Sequence, residues 1–334
     1  MIRNTLNMTQ DKSALGFGCS SLMGHDTALE RDAVLGAAFE AGIRHFDVAR
    51  FYGFGEAESA LGDFIKPRRA QVTVTTKFGI SPPKQSSGLK SVLGLARRVA
   101  ARSPLLRRGM AGTAGRLIKS GDFSVAGARA SLETSLRLLQ TDYIDFYLLH
   151  DCGAEDATED LLRFLQESVR EGKVRRFGLG TDIGVIAELC RSSPEFAGVV
   201  QFENSVLRQN LALLPASEGQ HERRAVFTHR ALNESFDAVW DSLAADADMA
   251  ARWSRTLGAD CADRNVVAAL MLSYAVRANA GGLVLFSSRS KERIRENARI
   301  VQDSPFTDEQ LRLLAGIAEE PALKTKDPQT KGTV

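Results

Sequence analysis

Paired cysteines are missing from this 334-residue chain. Cys19, Cys152, Cys190 and Cys261 stand far apart and form no CxxC motif, so neither a disulfide framework nor a cysteine-caged zinc ion is expected, and no metal site is assigned. No apolar run approaches the roughly 18 residues of a membrane span, and the opening MIRNTLNMTQDK has no apolar signal-peptide core. These absences predict a cytoplasmic protein without a membrane partner. There is no GxxxxGK[ST] phosphate loop, no GxSxG nucleophile elbow and no HExxH pair. Acidic residues are absent from 64–121, which holds thirteen Lys and Arg; the rest of the chain carries 30 basic against 41 acidic residues. The remainder of the composition, 44% hydrophobic and 25% charged, is that of an ordinary globular protein, long enough to bury a full core.

What is present is an alternation. Short apolar runs that read as strands lie at 14–18, 45–49, 72–77, Ile144–His150, Val174–Gly180, 198–202, 225–228 and Leu283–Phe286. Helical patterns fall between them. Thr27 and Glu30 have the spacing of a capping box, Val34, Leu35 and Ala38 continue at helical period, and Gly42 closes that helix. Further helices are expected at 56–64, through Val125, Ala128, Leu132, Leu136 and Leu139, through Leu161, Leu165 and Val169, at 183–191, over a stretch at 235–257, at 265–277 and from Lys291. Eight such units with strands buried on both faces predict a parallel sheet. In a chain of this length they fit a single-domain (β/α)8 TIM barrel over 1–323, with a basic insertion at about 84–121 and a flexible tail at 324–334. An open doubly wound sheet is the alternative.

In a barrel, chemistry gathers where strands end. Asp47 lies near the end of the second strand, Tyr52 just beyond it, Lys77 ends the third and His150 the fourth. A phenol with a reference pKa of about 10 is a poor proton donor unless a cation lies near. Lys77 is placed to be that cation, Asp47 to hold Lys77, and His150 to bond a substrate oxygen. The set suits protonation of a polarised carbonyl. Three rival signals exist. Gly178, Gly180 and Gly184 follow a strand, with Glu203 further on, but the spacing is GxGxxxG rather than that of a dinucleotide fingerprint. Cys152 beside His150 suggests a Cys–His nucleophile, against which stands an inert buried thiol. In an aldolase or isomerase barrel, Lys77 would form a Schiff base.

The run AGIRHFDVA (41–49) with Tyr52-Gly53, Lys77 closing its strand, DYIDFYLLH (142–150), GKVR (172–175), VQFE (200–203) and RIREN (293–297) together resemble the aldo-keto reductases. The resemblance covers nearly the whole chain outside the insertion and the segment around 215–262. It implies a barrel that binds NADP(H) without a Rossmann domain and reduces an aldehyde or ketone to an alcohol, or runs the reverse. Tyr52 would be the general acid, with Asp47, Lys77 and His150 around it. The cofactor would lie against Gly18, Cys19, Ser20, Asp47, Gly180, Thr181, Gln201 and His229. Ser287, Ser288, Arg289, Arg293 and Asn297 would hold its adenosine end. Gly180-Thr181 stands where the family usually has Ser-Asn, His229 where many members have a stacking Tyr, and Ser287 where many have a Lys. A weaker preference for NADPH is therefore expected, resting on Arg289 and Arg293. The non-enzyme alternative is an NADP(H)-binding barrel that serves as a sensor or scaffold.

The acid-free block contains a basic amphipathic helix. Leu89, Val92, Leu93, Ala96, Val99 and Ala100 form one side, Lys90, Arg97, Arg98 and Arg102 the other, and Pro104 stops it. It leaves the barrel at the rim after strand three. The expectations are a solvated face packed on the barrel wall, or a lid whose charges attract an anionic carbonyl substrate. Membrane binding lacks a second anchor, and nucleic acid lacks aromatics to stack on.

Overall fold

The protein is described by a computed structural model covering residues 14–25, 27–82, 121–216 and 223–320. The expected amphipathic helix, the insertion apart from Gly121, and the tail at 324–334 lie outside these residues. Eight parallel strands close into a barrel in chain order: β1 (Leu15–Gly18), β2 (His45–Asp47), β3 (Thr73–Phe78), β4 (Ile144–His150), β5 (Val174–Gly180), β6 (Val199–Glu203), β7 (Ala225–His229) and β8 (Leu283–Phe286). The seam is the β1–β8 pair, with Leu15 opposite Val284 and Phe17 opposite Phe286. Closure excludes the open doubly wound alternative.

Ten α-helices are described: α1 (Ala28–Glu40), α2 (Glu56–Ile65), α3 (Val125–Leu139), α4 (Glu159–Arg170), α5 (Ile183–Ser192), α6 (Asn233–Ala245), α7 (Ala247–Leu257), α8 (Arg264–Ala278), α9 (Lys291–Gln302) and α10 (Asp308–Ala318). Their starts follow cap chemistry. The Thr27–Glu30 capping box is formed, and Ser124, Thr158, Asp182, Asp263 and Ser290 each accept a backbone N–H at the first turn. The helical stretch read at 235–257 is two helices. Asp246 leaves helical geometry (φ −135°, ψ 97°) and its carboxylate caps Met249 N–H, so the break is also a start. α10, unforeseen in the sequence, begins with a second capping box between Thr307 and Gln310. No described helix is long and apolar enough to cross a membrane.

Alternate strand residues point into the barrel. On β4, Phe146 and Leu148 join Val199, Ala225, Phe227, Leu283 and Leu285 in the barrel's interior cluster. His45 stacks among them, 4.9 Å from the Phe227 ring and 5.7 Å from Phe146. Its two ring nitrogens meet Thr73 Oγ1 at 2.9 Å and Thr75 Oγ1 at 3.2 Å. Burial and then Lys77 push its pKa down to about 3, so it is a neutral, satisfied core residue. The barrel interior is thus a filled core, and a barrel of this kind carries its chemistry above it, where the strands end.

Candidate active site

Asp47 is the last residue of β2, in register with Gly18 of β1 and Thr75 of β3. Lys77 lies opposite Leu148, and His150, the last residue of β4, lies opposite Gly180. Tyr52 opens the 3-10 turn Tyr52–Gly55 and donates its backbone N–H to Ala49 O at 3.0 Å. The next residue has to be glycine. Gly53 has φ +59°, and a Cβ there would come within 2.1 Å of Met23 Cγ.

The four groups converge. Lys77 Nζ donates to both Asp47 oxygens, at 2.7 and 2.8 Å, and to Val48 O at 3.2 Å. Both side chains are almost wholly buried. Lys77 Nζ lies 5.4 Å from the centroid of the Tyr52 ring. The Tyr52 and His150 rings meet edge to face, with centroids 6.1 Å apart at 85°. An ammonium has three donors, and all three are taken by Asp47 and Val48. Lys77 therefore acts on Tyr52 through its charge rather than through a hydrogen bond.

The electrostatics refine the sequence reading. Burial raises the Tyr52 pKa above its usual value; Lys77 pulls the other way without overcoming it, and Asp47 and Asp151 add to the rise. The sequence reading credits Lys77 with activating the phenol; in the folded protein burial wins and Tyr52 is a protonated phenol. Burial pushes the Asp47 carboxyl up, against Lys77 and the Gln201 amide, which favour the carboxylate. Burial pushes Lys77 down, but the attraction and hydrogen bonds of Asp47 pull it up, and the ammonium stands above its ordinary range. A charged Lys77 cannot attack a carbonyl, which argues against the Schiff-base reading. His150 is pushed down to about 3 by burial and then by Lys77 and His229, so it is neutral. Cys152 is pushed up to about 12, chiefly by burial, and Cys19 is raised by burial and by Asp47. Both are thiols rather than nucleophilic thiolates.

The residues expected at a cofactor fall into three groups. At the β1–β8 seam, Ser287 Oγ donates to Gly18 O at 2.7 Å and lies 3.2 Å from Ser20 Oγ. A Cβ on Gly18 would be 2.7 Å from Ser287 Oγ. On the far side of the barrel, Thr181 Oγ1 donates to Cys152 O at 2.8 Å, which commits its hydroxyl locally. Gly180 pairs with both His150 and Gln201. Gln201 Oε1 and His150 Nδ1 are buried with no partner among the described residues. His229, ending β7, is pushed down to about 3 by burial, then Arg230 and Lys77. In the third group, Ser287, Arg293 and Asn297 line a cavity of about 260 Å³. Arg289 lies apart from it, where a Cβ on Gly24 would be 3.0 Å from Arg289 Cδ. Ser288 Oγ donates to Ser290 O at 3.3 Å, which shapes the entry to α9.

Sequence reading missed two sets of residues here. Phe236, Arg264 and Asn265 line the same cavity as Arg293, and the Arg264 guanidinium sits 4.5 Å over the Phe236 ring. They come from α6 and the first turn of α8, and the only sequence signal is that both α8 and α9 begin with basic residues at a capped end. Asp151 and Arg230 directly follow the strand-end histidines His150 and His229, and both adopt left-handed backbone, at φ 51° and 59°. The repeated His-charge pair is visible in the sequence; the shared conformation is not. No group of three or more His, Cys, Asp or Glu among the described residues is placed to hold a metal ion.

A filled (β/α)8 barrel with a buried Lys–Asp pair, a phenol and a neutral imidazole at its C-terminal rim defines a class of oxidoreductase scaffold. Residues 14–319 match the Aldo/keto reductase family, and the chain belongs to it. It is 26% identical over 314 residues to the uncharacterised oxidoreductase YqkF of Bacillus subtilis, covering 91% of this chain and 92% of that one. It is 27% identical over 311 residues to pyridoxal 4-dehydrogenase of Microbacterium luteolum, covering 85% and 88%. Among solved structures, an aldo-keto reductase from Klebsiella pneumoniae in complex with NADPH superposes with a TM-score of 0.60 at 21% identity, covering 94% of this chain and 93% of that one.

Proposed function

We propose that the chain is an NADP(H)-dependent reductase of aldehydes or ketones in which Tyr52 is the proton donor. The observation that carries this is the cluster itself: a half-buried, protonated phenol in edge-to-face contact with a neutral histidine and next to a lysine held charged by Asp47. The residues fit the cofactor. Gln201 Oε1 is a buried acceptor without a partner, suited to the amide N–H of a carboxamide. Arg293, Arg264 and Asn297 give the cavity between the starts of α8 and α9 the donors and positive charge a phosphorylated adenosine calls for.

The cofactor, when bound, supplies the hydride. The protein's part is proton delivery and polarisation. Neutral His150 offers an N–H to the substrate oxygen, and as negative charge grows there Tyr52 transfers its phenolic proton to it. The Lys77 charge stabilises the phenolate left behind, most strongly in a site shielded from water. In oxidation of an alcohol Tyr52 must begin as phenolate, and its raised pKa pushes that direction to alkaline pH. The relative named as a dehydrogenase supports the reverse direction. A sensor or scaffold role has no need of all four groups together and is not favoured.

The test is NADPH oxidation over a panel of aldehydes by Tyr52→Phe. General acid catalysis contributes about 10²–10⁴-fold, so the variant should lose at least a hundredfold in kcat while its NADPH Kd, read by fluorescence titration, stays within a few-fold. Native-like turnover in Tyr52→Phe would remove Tyr52 from the mechanism. Tight NADPH binding by the native protein without turnover of any carbonyl would favour the scaffold.

A further inference from the structure

Glu58, on the inner face of α2, is fully buried between that helix and the strand layer. Its carboxylate accepts three short hydrogen bonds: from Arg50 Nη1 at 2.6 Å, from Thr76 Oγ1 at 2.7 Å and from Ser135 Oγ at 2.7 Å. A buried carboxylate is costly unless it is paired and hydrogen-bonded, and this one satisfies both conditions. Its partners are informative. Thr76 is the neighbour of Lys77 and, by strand alternation, points out of the barrel where Lys77 points in. Arg50 sits between Asp47 and Tyr52, and its guanidinium reaches past Gly55 to the helix: a Cβ on Gly55 would be 3.7 Å from Arg50 Nη1. The ion pair therefore spans from just before Tyr52 to just after its turn.

We propose that Arg50 and Glu58 are positioning residues for proton transfer. Their ion pair closes residues 50–58 into a loop with Tyr52 inside it. Through Thr76 the same carboxylate ties that loop to the strand carrying Lys77. The phenol and the ammonium are thus referred to one buried anchor that touches neither of them. The inference rests on the reading of Tyr52 as proton donor given above. Misplacing a reacting group by about 1 Å costs on the order of 10²-fold in rate, so the effect belongs in kcat and not in binding.

Arg50→Met should lower kcat for aldehyde reduction about 10- to 100-fold, with NADPH Kd and aldehyde KM within about threefold of native. Arg50→Lys, which keeps the charge, should recover part of the loss, and Glu58→Gln should resemble Arg50→Met. The decisive readout is the Tyr52→Phe background, where there is no phenolic proton left to position: Arg50→Met should then cause no further loss of residual turnover. Equal losses in both backgrounds, or an unchanged kcat in Arg50→Met, would overturn the proposal. If Arg50→Met does not fold, a native kcat in Arg50→Lys together with Glu58→Gln does the same. The two readings fail separately. An active Tyr52→Phe removes the proton donor itself, whereas an inactive Tyr52→Phe beside a fully active Arg50→Met removes only the positioning role.

Discussion

Lys77→Met removes the cation from the centre of the site while keeping much of its volume. Asp47 then loses two contacts, at 2.7 and 2.8 Å, and remains almost fully enclosed. Breaking one side of a buried ion pair costs about 3–5 kcal/mol, because the remaining charge is stranded. The stranded carboxyl has an escape: it takes up a proton. Burial already holds its folded pKa above the unfolded value of about 3.9, and without Lys77 it rises further. The sign follows. A group with a raised folded pKa contributes its stability below the unfolded pKa and loses it as pH climbs through the folded one. The deficit of Lys77→Met against native should therefore be small at acid pH, where Asp47 is protonated in both proteins, and grow as pH climbs from the native Asp47 pKa to the higher one of the variant, at about 1.36 kcal/mol per unit. The double variant Asp47→Leu/Lys77→Met leaves no stranded charge and should be less destabilised at pH 7 than Lys77→Met alone. Denaturant midpoints at a series of pH values measure all three. A deficit below about 1 kcal/mol at pH 7, or one that does not change with pH, would show that Asp47 and Lys77 are not a coupled buried pair.

Two further perturbations test the surroundings. Asp151 disfavours the phenolate form of Tyr52, so Asp151→Asn should lower the Tyr52 pKa. The alkaline fall of kcat in carbonyl reduction should then begin at lower pH, and an unmoved alkaline limb would place Asp151 outside the field felt by the phenol. Arg293→Ala should weaken NADPH about 10- to 100-fold, the range for a hydrogen bond to a charged group, and leave NADH within about threefold. A parallel loss for both cofactors would mean that Arg293 does not read the 2′-phosphate.

The barrel is legible in the sequence because each strand is a short apolar run bounded by a cap or a glycine, and that pattern follows directly from burial on both faces. β4, β5 and β8 have the bounds their residues suggest. Asp246 is not legible as a helix break, since a single aspartate inside a helical period reads equally well as a solvated position. It takes the capping geometry to show that it starts α7. The positions of Asp47, Tyr52, Lys77 and His150 at one rim follow from strand ends. Their electrostatics do not, because the net direction of the Tyr52 shift depends on how deeply the ring is enclosed. Phe236 and Arg264 escape notice for a related reason: a cavity shared by α6, α8 and α9 has no local signature in any one of them.

The β1–β8 seam has a consequence for how the protein comes into being. Gly18 leaves the ribosome well before Ser287, which bonds to it across the seam. Until β8 is made, β1 has an unpaired edge, open to mispairing with other chains. No amino-terminal fragment can close the sheet, and the cavity bordered by Ser287 and Arg293 does not yet exist. Function in this protein therefore waits on β8, so a nonsense or frameshift lesion even shortly before β8 should yield a chain with no partial activity, only an exposed sheet edge.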